Sequence, residues 1–187
     1  MKCSTTSLPG VLVIDPQVFG DARGRVWEAW HEPRYRDAGI KTRFVQDNIS
    51  VSRQNVIRGL HFQHPYAQGK LISVLSGEIF DVAVDVRRGS PTFGRWVSAV
   101  LSAESARQLF VPEGFAHGFA VLSEQAAVLY RCSALYHPEH EHTIRWDDPA
   151  IGVVWPITDP LLSSKDHEGA PLSSIPAEQL PVWTNEP

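Results

Sequence analysis

A chain of 187 residues, 43% hydrophobic and 20% charged, has the size and composition of one soluble domain with a core that needs no staples. Its net charge of −4 argues against nucleic acid or an anionic membrane as the main partner, since both call for a basic face. Cys3 and Cys132 supply neither a disulfide framework nor paired zinc spacing, and no stretch reaches the length of a membrane span or of a signal peptide's apolar core. A cytoplasmic protein is expected, with a small anionic ligand still allowed because a few local arginines can serve one whatever the global charge.

Taken in chain order, the first periodic segment is HEPRYRDAGI, which predicts a helix over His31 to Ile40 with Gly39 as its end signal. The run KLISVLSG (Lys70 to Gly77) is rich in strand formers and turns at Ser76-Gly77 into IFDVAVDV (Ile79 to Val86), so the two read as a hairpin. In IFDVAVDV, Val82, Val84 and Val86 fall on one face and Asp81, Ala83 and Asp85 on the other. RWVSAVLS, RQLFVPEG, HGFAVLSE and AAVLYRCSALY continue the series, with turn chemistry at RRGSPTFG and PEGF. Cys132 sits in an apolar stretch and is expected to be a reduced, packed thiol. The last forty residues hold many prolines and few periodic runs; they predict a wrapping tail with a short helix at Pro176 to Gln179. Many short antiparallel strands at this spacing predict an all-β fold, a sandwich or jelly roll with a few short helices, over a single domain spanning 1–187.

Such a sandwich leaves an open mouth lined by alternate side chains, and polar residues facing inward cost desolvation unless a ligand or partner satisfies them. The central run is rich in them: Gln46, Asn48, Arg58, His61, Gln63, Lys70, Asp81, Asp85, His117 and Tyr130. Asn48, Arg58 and Lys70 interrupt apolar stretches in a way a purely structural strand does not require. Asp81 and Asp85 read as ordinary polar strand residues, and Trp96, Trp146 and Trp155 as packing residues.

PEGFAH carries the P-x-G-x-x-H spacing of one half-motif of the cupins, a jelly-roll superfamily that often binds metal through three histidines and a glutamate. The companion half-motif needs two histidines one residue apart, then a glutamate, then a glycine. Here His61 and His64 are three apart, and Lys70 stands before Gly77 where the glutamate belongs. A cation at the carboxylate position repels a divalent metal. The cupin shape is expected; a metal is not. A histidine and a lysine close together on neighbouring strands suit general base chemistry with a positive charge beside a developing oxyanion. Taken alone, His61 reads more readily as a hydrogen-bonded wall residue. That reading loses ground because Arg58, His61, Gln63 and Lys70 fall in one segment.

FGDARGRVWE, FVQDNISVS, VIRGLHFQ, QGKL, GEIFDVAVDVRRGSPTFG, VPEGFAHGF, YRCSALYHPEHE, IRWDDP and LSSKD occur in this order. Together they resemble the dTDP-4-dehydrorhamnose 3,5-epimerase family. The resemblance implies a cupin-like jelly roll, a dTDP-linked 4-keto-6-deoxyhexose substrate and no cofactor. It also implies a homodimer with N-terminal strands exchanged, so that Phe19 to Glu28 line the partner's pocket. By the same resemblance His61 matches the family's base, Asp166 the carboxylate paired with it, and Lys70 the lysine near the C4 oxygen. Tyr130 matches the acid of the opposite face, with Tyr136 as its rival. Arg23 and Arg58 match diphosphate-binding positions, Gln46, Asn48 and Glu28 polar positions around nucleotide and sugar, and His117 a sugar-contacting wall residue. Three other readings stand beside the double epimerase. They are a single-centre epimerase at C3 or C5, a sugar-nucleotide-binding module without catalysis, and a metal-dependent cupin oxygenase.

Overall fold

The computed structural model describes residues 1–184. The strands are β1 (Lys2–Thr5), β2 (Leu12–Asp15), β3 (Val18–Asp21), β4 (Gly24–Trp27), β5 (Gln46–Arg53), β6 (Ile57–Gln63), β7 (Lys70–Ser76), β8 (Glu78–Asp85), β9 (Trp96–Ser102), β10 (Gln108–Val111), β11 (Phe115–Val121), β12 (Gln125–Cys132) and β13 (Glu141–Thr143). The α-helices are α1 (Glu32–Asp37) and α2 (Ser164–His167). One sheet runs β1-β2-β10-β7-β12-β5 and the other β13-β6-β11-β8-β9, each antiparallel throughout, with β3 and β4 forming a separate ribbon. Two packed antiparallel sheets make the expected jelly roll.

Alternation along each strand sorts side chains between the interior and the outer faces. Between the sheets lie Ile72, Val74, Ile79, Ala83, Leu109, Val111, Phe115, Phe119, Ala126 and Val128, fully or almost fully buried. Both outer faces are covered as well. Leu60, Phe62, Val82, Val84, Val86 and Ala116 of the second sheet pack under Ile151, Leu172 and Leu180 of the C-terminal segment, with Trp96, Trp155 and Ile175 alongside. Leu71, Phe110 and Ile14 of the first sheet pack under Tyr35 and Ile40 around α1. Covered outer faces explain why β8 reads as a nearly continuous apolar run rather than a clean alternation.

The expected hairpin between Lys70–Gly77 and Ile79–Val86 does not form. β7 pairs with β10 and β12, whereas β8 pairs with β11 and β9 in the facing sheet. A two-strand reversal needs a loop of at least two residues, and only Gly77 separates β7 from β8. At φ +77°, and where an added Cβ would collide with Gln125 O and Ser123 Oγ, Gly77 turns the chain across the sandwich instead.

The predicted helix over His31 to Ile40 is shorter. His31 caps it, Nδ1 accepting from Arg34 N at 3.4 Å, and Gly39 at φ +98° follows its end. Near the C-terminus the expected helix is a single 3-10 turn over Ala177–Gln179, with a second over Leu172–Ser174. Trp155 Nε1 donates to Trp146 O at 2.8 Å, and the Trp155 ring packs against the core.

One irregularity positions the site. β11 and β6 pair as His117 with His61 and Phe119 with Arg58, so the register slips between them. Two steps on β11 oppose three on β6, which is a β-bulge. In a regular strand, residues three apart face opposite ways. The bulge instead turns both Arg58 and His61 toward the interior, beside His117 and Phe119. It forms where backbones approach closely: a Cβ on Gly59 would lie 2.5 Å from Gly118 Cα.

Candidate active site

The interior between the sheets opens at one end into a cavity of about 500 Å³. Gln46, Asn48, Arg58, His61, Lys70, His117, Tyr130 and Tyr136 all line it. The five-stranded sheet contributes Arg58 and His61 from β6 and His117 from β11; the six-stranded sheet faces them with Gln46 and Asn48 from β5, Lys70 from β7 and Tyr130 from β12.

Behind His61 stands Asp166, 3% exposed. Ser163 caps α2 by accepting from Asp166 N at 3.2 Å and donates its own hydroxyl to Asp166 Oδ2 at 2.6 Å. Asp166 Oδ1 then lies 2.6 Å from His61 Nε2. Burial works to raise the Asp166 pKa, but the hydrogen bonds from His61 and Ser163 outweigh it and hold the carboxyl below its usual range. An ionised Asp166 accepts the Nε2 proton, which leaves the Nδ1 lone pair directed at the cavity.

A second histidine–carboxylate pair adjoins the first. His117 and His61 are register partners, and His117 Nε2 lies 2.8 Å from Asp81 Oδ1. Asp81 is fully buried and its Oδ2 has no hydrogen-bond partner among the described residues. Burial raises its pKa despite the attraction of His117 and Lys70. The expectation that Asp81 is an ordinary polar strand residue is therefore corrected: it faces inward with Ile79 and Ala83 and holds a wall residue of the cavity. Asp85, by contrast, is structural, its buried carboxylate accepting from Arg87 Nη2, Ser90 Oγ and Thr92 Oγ1 at 2.6–2.7 Å.

Lys70 projects from the opposite sheet. Burial pulls its pKa down, against the attraction of Cys132, Glu141 and Asp81. No carboxylate among the described residues comes within ion-pair distance of it, so its charge is directed into the cavity rather than spent on a protein partner. Cys132, its register partner, is a buried thiol as expected and also forms part of the wall. Arg58 Nε donates to Ser52 Oγ at 2.9 Å, which steadies a guanidinium that lines the cavity. Gln46 Nε2 donates to Asn48 Oδ1 at 3.0 Å, while its Oε1 accepts from Tyr136 N at 2.9 Å.

Tyr136 donates to Glu141 Oε2 at 2.9 Å, and burial together with that carboxylate pushes its phenol up to about 12. A phenol held that firmly gives up its proton reluctantly. Gln63 is not in the cavity; its amide donates to Leu135 O and accepts from His137 N, pinning the loop above β6. Arg23 and Glu28 are also elsewhere. Arg23 lies on the β3–β4 ribbon, 90% exposed and paired with Asp21, and Glu28 pairs with Arg34. Among the described residues no three His, Cys, Asp or Glu side chains gather as a metal site.

Sequence reasoning dismissed Asp81 as an ordinary strand residue and overlooked Glu141 and Lys165. Asp81 had a visible signal, an aspartate alternating with Ile79 and Ala83 on a core face. Glu141 and Lys165 carried none, because they reach the cavity from β13 and α2, which no periodicity places there.

A sequence profile described as dTDP-4-dehydrorhamnose 3,5-epimerase matches residues 5–174. A dTDP-4-dehydrorhamnose 3,5-epimerase of Pseudomonas aeruginosa is 52% identical over 171 residues, covering 90% of this chain and 94% of that one. A crystal structure of dTDP-6-deoxy-D-glucose-3,5-epimerase from Legionella pneumophila, in complex with dTDP-4-keto-L-rhamnose, superposes with a TM-score of 0.95 at 48% identity, covering 98% of each chain. A 3'-monoepimerase from Streptomyces bikiniensis, in complex with dTDP-quinovose, gives 0.87 at 34% identity, covering 95% of this chain and 91% of that one.

Proposed function

The chain belongs to the dTDP-4-dehydrorhamnose 3,5-epimerase family, and from that premise we propose how its residues perform the reaction. The protein is an isomerase that epimerises C3 and C5 of dTDP-4-keto-6-deoxyglucose, giving dTDP-4-keto-L-rhamnose for dTDP-L-rhamnose biosynthesis. A ketone at C4 acidifies the hydrogens on C3 and C5, since loss of either leaves an enolate. The reaction needs a base on one face of the ring, a charge beside the enolate oxygen, and an acid on the other face.

The observation that carries the assignment is the His61–Asp166 contact at 2.6 Å, with His61 on β6 of one sheet facing Lys70 and Tyr130 of the other and Asp166 behind it on α2. His61 Nδ1 takes the proton from carbon, and the C–H electrons move into the enolate. Asp166 stabilises the imidazolium that forms. Lys70 stabilises the enolate oxygen in a water-poor pocket. Tyr130 delivers its proton to the opposite face of the carbon, completing inversion. Only protons move, so no metal or organic cofactor is assigned a step.

Arg58 binds the diphosphate, where a guanidinium matches phosphate oxygens in a bidentate manner; Gln46, Asn48, His117 and Tyr136 contact nucleotide and sugar. Arg23 and Glu28 act in a homodimer. The ribbon that carries Arg23 leaves Phe19 57% and Val26 66% exposed, which suits exchange onto a partner subunit whose cavity Arg23 then enters. On this reading Arg23→Ala raises KM and leaves kcat nearly unchanged, and the dimer mass appears in sedimentation. None of the described helices is long and apolar enough to cross a membrane, and a cytoplasmic location suits work on a charged nucleotide sugar.

Proton NMR of dTDP-4-keto-6-deoxyglucose with the protein in D2O, without any reductase, tests the reading. Deuterium at both C3 and C5 is the expected result. Exchange at one carbon makes the protein a single-centre epimerase, and none at either leaves a binding module.

A further inference from the structure

A base that serves two carbons in one visit must shed the first proton before it takes the second. After the first inversion His61 is protonated and Tyr130 is not, so the second carbon meets a spent pair. Asp166 cannot receive the extra proton without surrendering the ion pair that makes the imidazole basic. The other nitrogen, Nδ1, faces the cavity, and 3.9 Å from it lies Glu141 Oε1.

Glu141 is placed between the buried base and the solvent. Its side chain is 15% exposed, and its second oxygen accepts from Lys165 Nζ at 2.6 Å and from Tyr136 OH at 2.9 Å. Lys165 is 49% exposed, and Tyr136 is an exposed residue of the cavity rim. His61, Glu141, Lys165 and Tyr136 line one continuous cavity. Burial works to raise the Glu141 pKa, yet Lys165, His61 and Tyr136 outweigh it and keep the carboxylate ionised and ready to accept. A gap of 3.9 Å closes with a small rotation of the carboxyl or is spanned by one water.

We propose that Glu141 is the relay that resets His61 between the two inversions, carrying the abstracted proton from Nδ1 to solvent at the cavity rim. The inference rests on His61 being the base. The N–H bond of the imidazolium breaks as an O–H bond forms on Glu141; that proton passes to water, and the Tyr130 phenolate regains one from water. No electrons change owner and no co-reactant is consumed. Glu141 acts through His61 and touches neither C3 nor C5.

The test is a single turnover in D2O with protein in excess over dTDP-4-keto-6-deoxyglucose, comparing the parent with Glu141→Gln. The first exchange needs no reset and stays near the parental rate, which also shows that the variant is folded. The second exchange falls by ~10-fold or more, so product carrying deuterium at one carbon accumulates. In Glu141→Ala, which vacates the place, the same excess loss appears and added formate, a small carboxylate, restores the second exchange. Glu141→Asp, which keeps the charge but withdraws it by one methylene, shows the same excess to a lesser degree. A parental ratio of the two exchanges in Glu141→Gln and Glu141→Ala overturns the relay. Equal loss of both exchanges with no response to formate also overturns it, because a brace for α2 and nothing more behaves that way. His61→Ala run alongside separates the two ideas: exchange that survives in that variant removes the base, not the relay alone.

Discussion

His61 Nε2 lies 2.6 Å from Asp166 Oδ1, although the two residues are 105 positions apart. The contact joins β6 of one sheet to a single helical turn in the C-terminal segment, and each end is fixed by its own surroundings. The bulge in β6 aims His61 inward, and Ser163 at the cap of α2 holds Asp166 by both its amide and its carboxylate. A base with a pre-oriented partner loses little in reorganisation when the proton arrives.

His61→Ala is expected to lower kcat by about 10²–10⁴-fold with the fold intact, the usual contribution of a positioned base. Asp166→Asn should fall in the same direction, since an amide cannot stabilise the imidazolium and favours the wrong tautomer. Steady-state kinetics on both variants, with circular dichroism as the folding control, check this. A His61→Ala protein that kept most of its turnover would falsify the assignment.

Lys70→Met should lower kcat by roughly 10²–10³-fold with KM little changed, because the ammonium acts on charge that develops only in the transition state. A pH dependence follows from burial. A lysine whose pKa is lowered keeps its charge only at lower pH than an exposed one. The alkaline decline of kcat/KM, which reports the free protein, therefore begins below the ordinary lysine range near 10.4. Lys70→Arg, to the extent that it turns over, should lack that decline, since arginine stays charged.

Gly59→Ala should destabilise the protein by about 1–3 kcal/mol and lower activity as well. The residue has φ +120°, and an added Cβ would lie 2.5 Å from Gly118 Cα and 2.7 Å from His117 O. Relief requires β6 and β11 to separate, which withdraws Arg58 and His61 from the cavity together. Thermal melts show the first effect and kcat/KM the second; a variant that melts with the parent and turns over normally contradicts the role given to the bulge.

Asp85→Asn should cost about 3 kcal/mol at pH 7, because it removes one member of a buried pair and leaves Arg87 uncompensated. Burial opposes ionisation of Asp85, but hydrogen bonds from Arg87, Ser90 and Thr92 outweigh it and hold its pKa low. A carboxyl with a lower pKa folded than unfolded contributes its full stability above the unfolded value, about 3.9, and loses it as pH falls through the folded value. The gap in melting temperature between parent and variant should therefore be wide at neutral pH and close in acid below that value.

The sequence by itself determined the class of fold and most of the cavity wall. Period-2 runs from Lys70 to Cys132 announce antiparallel strands because one buried face per strand is enough to set the alternation. Lys70, Arg58 and Asn48 stood out because charge or amide on a core-facing position costs desolvation without a ligand. The motifs from Phe19 to Asp166 then assigned the chemistry, and family similarity along the chain agrees with it. Tertiary structure decided what alternation cannot carry. Which sheet a strand joins depends on which edges are open, so the glycine between β7 and β8 read as a hairpin turn when it crosses the sandwich. Which way Arg58 and His61 face depends on a register slip against β11, and strict alternation sends them apart. Glu141 reaches the base from β13, paired beside β6, while Asp166 and Lys165 come from α2 in the C-terminal segment. Their positions are set by how the C-terminal segment packs on the outer face of the sheet, and no local pattern in the chain encodes a long-range approach of that kind.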